Sequence, residues 1–144
     1  MSKESGKRRV VVTGVGMVSP VGLSVEESWR NILAGVSGVT EVDGFDTTDC
    51  PTKIWAKVKN LDVEKYIAPK DARKMDPFTQ YGMVAAAEAM ADANLTVDNE
   101  ESLRIGVAVG AGIGGIQTIT NNQDRLEKSG PRKVSPFFIP AGII

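Results

Sequence analysis

Two short β-branched runs, each ending in a cluster of glycines, set the terms for this chain. Val10–Thr13 stops at Gly14, and residues 14–23 then hold Gly14, Gly16, Pro20 and Gly22. Arg104–Gly110 runs into a second glycine-rich turn over 110–115. Short apolar runs bounded by glycine read as buried strands. Between them lie two helix signatures. Ser24 followed by Glu27 is a capping box, opening a helix with Trp29, Ile32 and Leu33 on one face and Gly35 and Gly38 at its end. Asp76 as N-cap with Pro77 at the first helical position opens a longer helix that Asn94 stops. In that helix Met83, Ala86, Ala87, Met90 and Ala93 share a face, with Ala85 and Ala89 off it; small residues all round predict close neighbours on several sides. Ile54–Val58 reads as a further strand or edge hairpin, and a polar helix follows the second glycine turn to about Lys128. Strands alternating with helices predict an α/β fold with a mainly parallel sheet.

A glycine turn after a strand raises the question of a phosphate-cradling loop. Gly14-Val15-Gly16 supplies half of the dinucleotide fingerprint, but Ser19 stands where the third glycine belongs, and Pro20 and Gly22 delay the helix to about Val25. The helix N-terminus is thereby displaced from where a pyrophosphate would sit, which favours a tight strand-to-loop crossing packed on neighbouring backbone. Gly110, Gly112 and Gly115 do fit the spacing. No acidic residue follows at the distance needed for a ribose. That loop is open to two readings, a site for a phosphorylated ligand or a place where a substrate chain approaches backbone beside Ile113.

Composition narrows the chemistry. The 144 residues, 42% hydrophobic and 24% charged, suit one ordinary soluble domain able to bury a respectable core. A net charge of -1 gives no global reason to expect nucleic acid. No apolar stretch approaches the roughly 20 residues of a membrane span, and no signal-peptide core follows the charged N-terminus. The chain contains no histidine, so Ser-His or Cys-His catalysis within it is excluded. Cys50, the single cysteine, is flanked by Asp49 and Pro51 and reads as an unreactive loop thiol compatible with a reducing cytoplasm. Two basic clusters, Lys70/Arg73/Lys74 and Arg132/Lys133, are ordinary surface charge taken singly; together, in a chain of this net charge, they suggest an acidic partner. The apolar ending SPFFIPAGII carries no cap, charge or polar tail and reads as a cut chain.

Taken in order, RRVVVTGVGMVSPVG, the segment Trp29–Gly38, RKMDPFTQYG, RIGVAVGAGIGG and GPRKVSPFFIP resemble the N-terminal part of the bacterial β-ketoacyl-acyl-carrier-protein synthase II family, the elongating condensing enzymes of type II fatty-acid synthesis. The resemblance runs from Arg8 to Ile144; residues 1–7 stand outside it as a flexible tail. It implies part of the N-terminal half of a thiolase-like αβαβα sandwich, a homodimer, a cytoplasmic location and decarboxylative condensation of acyl- with malonyl-carrier protein without a cofactor. It also implies that the nucleophilic cysteine, in a TACSSG-like motif, and two histidines come later than this chain, which would be inactive alone. Residues 8–144 are then an incomplete domain contributing binding surfaces. By the same resemblance Gly112 and Ile113 line and gate the acyl pocket, Phe138 and Ile139 close its floor across the dimer interface, and Lys70, Arg73, Lys74, Arg132 and Lys133 face the acidic acyl carrier protein.

Overall fold

The long helix α3, Pro77–Asp92, is the element on which the N-terminal part of the chain is assembled. The computed structural model describes residues 8–98 and 101–143, so the expectation of a flexible tail over 1–7 lies outside the described residues. Asn94 ends α3 in the left-handed region (φ 48°), with its N–H on the Ala91 carbonyl and the Leu95 N–H on the Met90 carbonyl, a Schellman closure made by asparagine. Gly14 and Gly16 lie directly on this helix. A Cβ at Gly14 would stand 2.6 Å from the Ala93 nitrogen, and one at Gly16 would stand 2.7 Å from the Ala89 nitrogen and closer still to the Ala85 carbonyl. The crossing expected at Gly14–Gly16 is therefore present. The packed face of α3 differs from the expected one. Val84 is buried and Ala85, Ala89 and the expected Ala93 take the glycine contacts, whereas Met83, Ala86, Ala87 and Met90 are exposed. Small size, not hydrophobicity, selects the packed face, because backbone must reach backbone.

Two carboxylates on the same face complete the junction. Asp92 Oδ2 accepts from the Val15 N–H at 2.9 Å and Glu88 Oε2 from the Met17 N–H at 2.8 Å. The other Glu88 oxygen accepts from the N–H of Val25 at 2.8 Å, the first residue of α1, Val25–Leu33. The expected capping box opens α1: the Ser24 hydroxyl accepts from the Glu27 N–H at 3.1 Å, and the Glu27 carboxylate reaches back to the Leu23 N–H at 2.7 Å. Gly35 (φ 70°) closes it in a second Schellman motif, with the Gly35 N–H on the Ile32 carbonyl and the Val36 N–H on that of Asn31. The expected apolar face of α1 is uncovered, with Trp29 60% and Leu33 70% exposed; its buried residue is Ser28.

The strands differ from expectation. Neither 10–13 nor 104–110 joins a ladder among the described residues: Val10 is 90% and Val107 87% exposed, and Glu101–Arg104 is a 3₁₀ turn. A strand exists only through a partner, and no described segment lies beside either run. The sheet that is present is antiparallel, β1 (Thr40–Glu41) against β2 (Ile54–Trp55), so it is the expected edge hairpin and not the expected parallel sheet. Phe45 packs edge-on to Trp55 at 6.0 Å, and the Lys57 ammonium lies 4.9 Å above the Trp55 ring while donating to Asp43. That hydrogen bond holds the Asp43 carboxyl below the usual range.

After the short helix α2 (Pro69–Ala72) and α3, the chain continues through α4 (Ile116–Ser129), a 3₁₀ turn at Pro131–Lys133 and the short helix α5 (Phe138–Gly142). The respectable core expected from length is not there. Among the described residues the buried apolar ones are Ile67, Val84 and Ala141, and the accessible surface is 11705 Å². A self-contained monomer of 15.4 kDa would show about 7,200 Å².

The glycine contact gives a direct test. Gly16→Ala should lower stability by at least ~1–3 kcal/mol, because the new methyl meets helix backbone that cannot rotate away. Gly82→Ala, in the open interior of α3, should instead add ~0.5–1 kcal/mol. Thermal unfolding of both variants checks the pair.

Candidate functional site

Helix α4 separates two clefts. On one side an apolar cleft of about 270 Å³ is lined by Ala111–Gly114, Ile119, Gly142 and Ile143. On the other a polar cleft of about 200 Å³ is lined by Arg73, Lys74, Met75, Thr118, Asn121, Arg125, Ser135, Phe137 and Ala141. Helical periodicity explains the division. Thr118, Asn121 and Arg125 recur at i, i+3 and i+7 on one face, and Ile119 lies about 100° further round.

The wall between the clefts is hydrogen-bonded throughout. Asp76, 6% exposed, accepts from the Thr118 N–H through Oδ2 at 2.9 Å. The Gly115 N–H donates to the Gly142 carbonyl at 3.0 Å, tying the glycine loop to the end of α5. Asn122, 5% exposed, donates to the Thr118 carbonyl and accepts from the Ser135 N–H, both at 2.8 Å, tying α4 to the segment before α5.

Of the expected acyl-pocket residues, the structure brings Gly112 and Ile113 into the apolar cleft, with Ile113 73% exposed. Phe138 and Ile139 open α5; Phe138 is half-buried, Ile139 is exposed, and neither lines this cleft, whose α5 side is formed by Gly142 and Ile143. Of the basic residues, Arg73 and Lys74 line the polar cleft, while Lys70, Arg132 and Lys133 are exposed outside its lining. Arg73 donates to the Pro69 carbonyl at 3.1 Å. Lys74 donates to Asp71 at 3.0 Å and lies 5.6 Å from the centre of the Phe137 ring. Arg125 was missed by sequence reasoning; its spacing from Thr118 and Asn121 was the available signal. Lys128, on the outer side of α4, is held by Asp124 at 2.9 Å, a hydrogen bond that raises its pKa above the usual lysine value. Cys50 is half-buried in a turn closed by its N–H on the Thr47 carbonyl.

The same hydrogen bonds bear on the phosphate question. At Gly14–Gly16 the loop N–H groups point at Asp92 and Glu88, where a phosphate would meet two carboxylates. At Gly110–Gly115 the Gly115 N–H is taken by Gly142 and the Thr118 N–H by Asp76. Two N–H groups that could hold an anion at the start of α4 are thus already engaged, one of them by an acidic side chain.

Comparison with known proteins now bears on the site. Residues 7–143 match the β-ketoacyl synthase N-terminal domain. The chain belongs to the β-ketoacyl synthase family. It is 53% identical over 138 residues to the 3-oxoacyl-[acyl-carrier-protein] synthase 2 of Vibrio cholerae and 47% identical to that of Coxiella burnetii, in each case over 96% of this chain and 33% of the relative. The chain thus spans about a third of the length of these relatives. Among solved structures it is similar to the ishigamide ketosynthase/chain length factor (TM-score 0.77, 29% identity, 96% of this chain and 34% of that one). It is also similar to a type II polyketide ketosynthase solved in complex with its acyl-carrier protein (TM-score 0.74, 30% identity, 92% of this chain and 36% of that one). These solved neighbours are ketosynthases of thiolase-like fold, of which the chain matches about a third.

Proposed function

We propose that the full-length protein is a 3-oxoacyl-[acyl-carrier-protein] synthase that elongates fatty acids. The observation that carries this reading is the pair of clefts back to back across α4, one apolar and one basic. A condensing enzyme needs both, a bay for an acyl chain and a positive rim for an acidic carrier. In the reaction an acyl group passes from a carrier thioester to a cysteine thiol. Malonyl-carrier protein loses carbon dioxide, and the resulting carbanion attacks the acyl thioester and expels the cysteine thiolate. The chain holds no histidine, and Cys50 lies in a hairpin-loop turn away from both clefts, so these residues bind and orient while the reacting groups come from elsewhere in the full-length protein.

In this reading Gly112 and Ile113 form the wall that meets the acyl chain, with Phe138 and Ile139 at the pocket floor across a homodimer interface. Arg73 and Lys74, extended by Lys70, Arg132 and Lys133, receive the acidic acyl carrier protein; the relative solved with its acyl-carrier protein supports such a partner. Residues 10–13 and 104–110 supply parallel strands to the sandwich, and their bare valines are the surface that the rest of the sheet covers. The reaction takes place in the cytoplasm.

Two outcomes test the reading. The 144-residue chain should show no condensing activity, and transfer of a labelled acyl group to Cys50 followed by extension from malonyl-carrier protein would refute that. In the full-length protein, Arg73→Glu with Lys74→Glu should raise KM for acyl-carrier protein, with turnover of a small carrier-free thioester unchanged. Rim charges act on association and fade with salt, at about 0.2–1 kcal/mol for each exposed pair, so the double change is used. Equal losses with both substrates, or a KM indifferent to salt, would return these residues to ordinary surface charge.

A further inference from the structure

Asp76 begins α3 yet does not cap it. Its backbone carbonyl accepts from Thr79 and Gln80 in the first turn, but its side chain makes no hydrogen bond to that helix. The side chain is buried and crosses to α4, where Oδ2 accepts from the Thr118 N–H at 2.9 Å. The N-cap position of α4 is Gly115, which has no side chain to do this itself. Helix α4 therefore takes its cap from a residue about forty positions upstream.

The consequences fall on the apolar cleft. A Cβ at Gly115 would stand 2.6 Å from Gly142 Cα and 3.2 Å from Asp76 Oδ2, so the loop is pressed between α5 and the Asp76 side chain. The Gly115 N–H on the Gly142 carbonyl fixes one side of this clamp and the Asp76–Thr118 bond the other. Ile113, two residues before Gly115, lines the cleft together with Gly142 and Ile143. Where the clamp holds the loop decides how far Ile113 stands from α5.

We infer that Asp76 is a positioning residue which, through Thr118 and Gly115, sets the Ile113 wall of the apolar cleft and with it the length of acyl chain accepted. The inference rests on the acyl-cleft reading above. Asp76 also follows Lys74 and Met75 of the basic cleft in sequence, so the segment that lines one cleft anchors the wall of the other.

The test compares the full-length protein with its Asp76→Ala, Asp76→Asn and Ile113→Phe variants, measuring kcat/KM for a short and a long acyl primer and the unfolding temperature. Asp76→Asn keeps an acceptor of the same reach. Asp76→Ala should change the long-to-short ratio by about tenfold, the scale on which a pocket tells one methylene from none, and Asp76→Asn by less than about twofold. Equal loss on both primers in Asp76→Ala with a lowered unfolding temperature would overturn the inference and leave a purely structural cap. So would a matching change of ratio in Asp76→Asn, since the acceptor would then not be what matters. A shifted ratio in Ile113→Phe alone would overturn the role of Asp76 and keep the acyl cleft. An unchanged ratio in Ile113→Phe would overturn the acyl cleft and this inference together. If Asp76→Ala does not accumulate as folded protein, Asp76→Ser, one bond too short to reach Thr118, is judged on the same ratio.

Discussion

The bridging carboxylate of Glu88 is the contact on which the N-terminal part of the chain depends. One oxygen holds the Met17 N–H of the glycine loop and the other the Val25 N–H that opens α1. A loop and a helix start are thereby fixed to one turn of α3 by charge-assisted hydrogen bonds, which are about twice as strong as neutral ones. The bridge needs the loop within reach, and that closeness comes from Gly14 and Gly16 lying against the Ala85–Ala93 stripe. A side chain at either glycine would push the loop outward and break the Glu88 and Asp92 contacts with it. The glycines, alanines and carboxylates are one device.

The C-terminal part repeats that device with other residues. Asp76 caps α4 from α3, Asn122 holds the segment leading to α5, and Gly115 lets α5 approach. In both places a buried or half-buried polar side chain satisfies backbone groups of an element remote in sequence. Such stitching carries unusual weight here because so little apolar surface is buried. An accessible area of 11705 Å² at 15.4 kDa leaves about 4,500 Å² more exposed than a self-contained monomer would show. Hydrophobic burial in the finished protein must come from surfaces that these 144 residues offer but do not cover themselves.

What could be read in the sequence follows from how local each cause is. The ends of α1 and the C-terminal end of α3 were legible to within a residue or two, because those caps are decided by a few neighbouring residues, as at Ser24, Glu27, Gly35 and Asn94, whereas the cap of α4 comes from the distant Asp76. The family was legible from ordered motifs. The packed face of α3 was not: nearly every position is small or apolar, and what selects Ala85 and Ala89 is a pair of glycines some seventy residues earlier. The runs at 10–13 and 104–110 have strand composition, but pairing is a property of two segments and the partner is not written in either. Arg73 and Lys74 could be seen as a cluster. Arg125 could join them only once the turn after Ser129 had folded Ser135 and Phe137 back against α4.

A single helix serving two clefts constrains how this region can vary. The first turn of α4 serves both clefts, with Thr118 lining the basic one and Ile119 the apolar one, while Asn121 and Arg125 line the basic cleft further along. Moving α4 along its axis or turning it would alter both at once. Its position is therefore set at its start and in its middle by groups that tolerate little change, the Asp76 and Gly142 contacts at the start and Asn122 in the middle, where it holds Ser135. The polar cleft can drift in charge at Arg125 or Asn121 without moving the helix. The wall of the apolar cleft cannot move unless these buried hydrogen bonds are remade, and an orphaned buried N–H or side-chain acceptor typically costs about 1–3 kcal/mol. The charge lining the polar cleft is thus free to adjust by surface substitution, while the shape of the apolar cleft is tied to the stability of the junction.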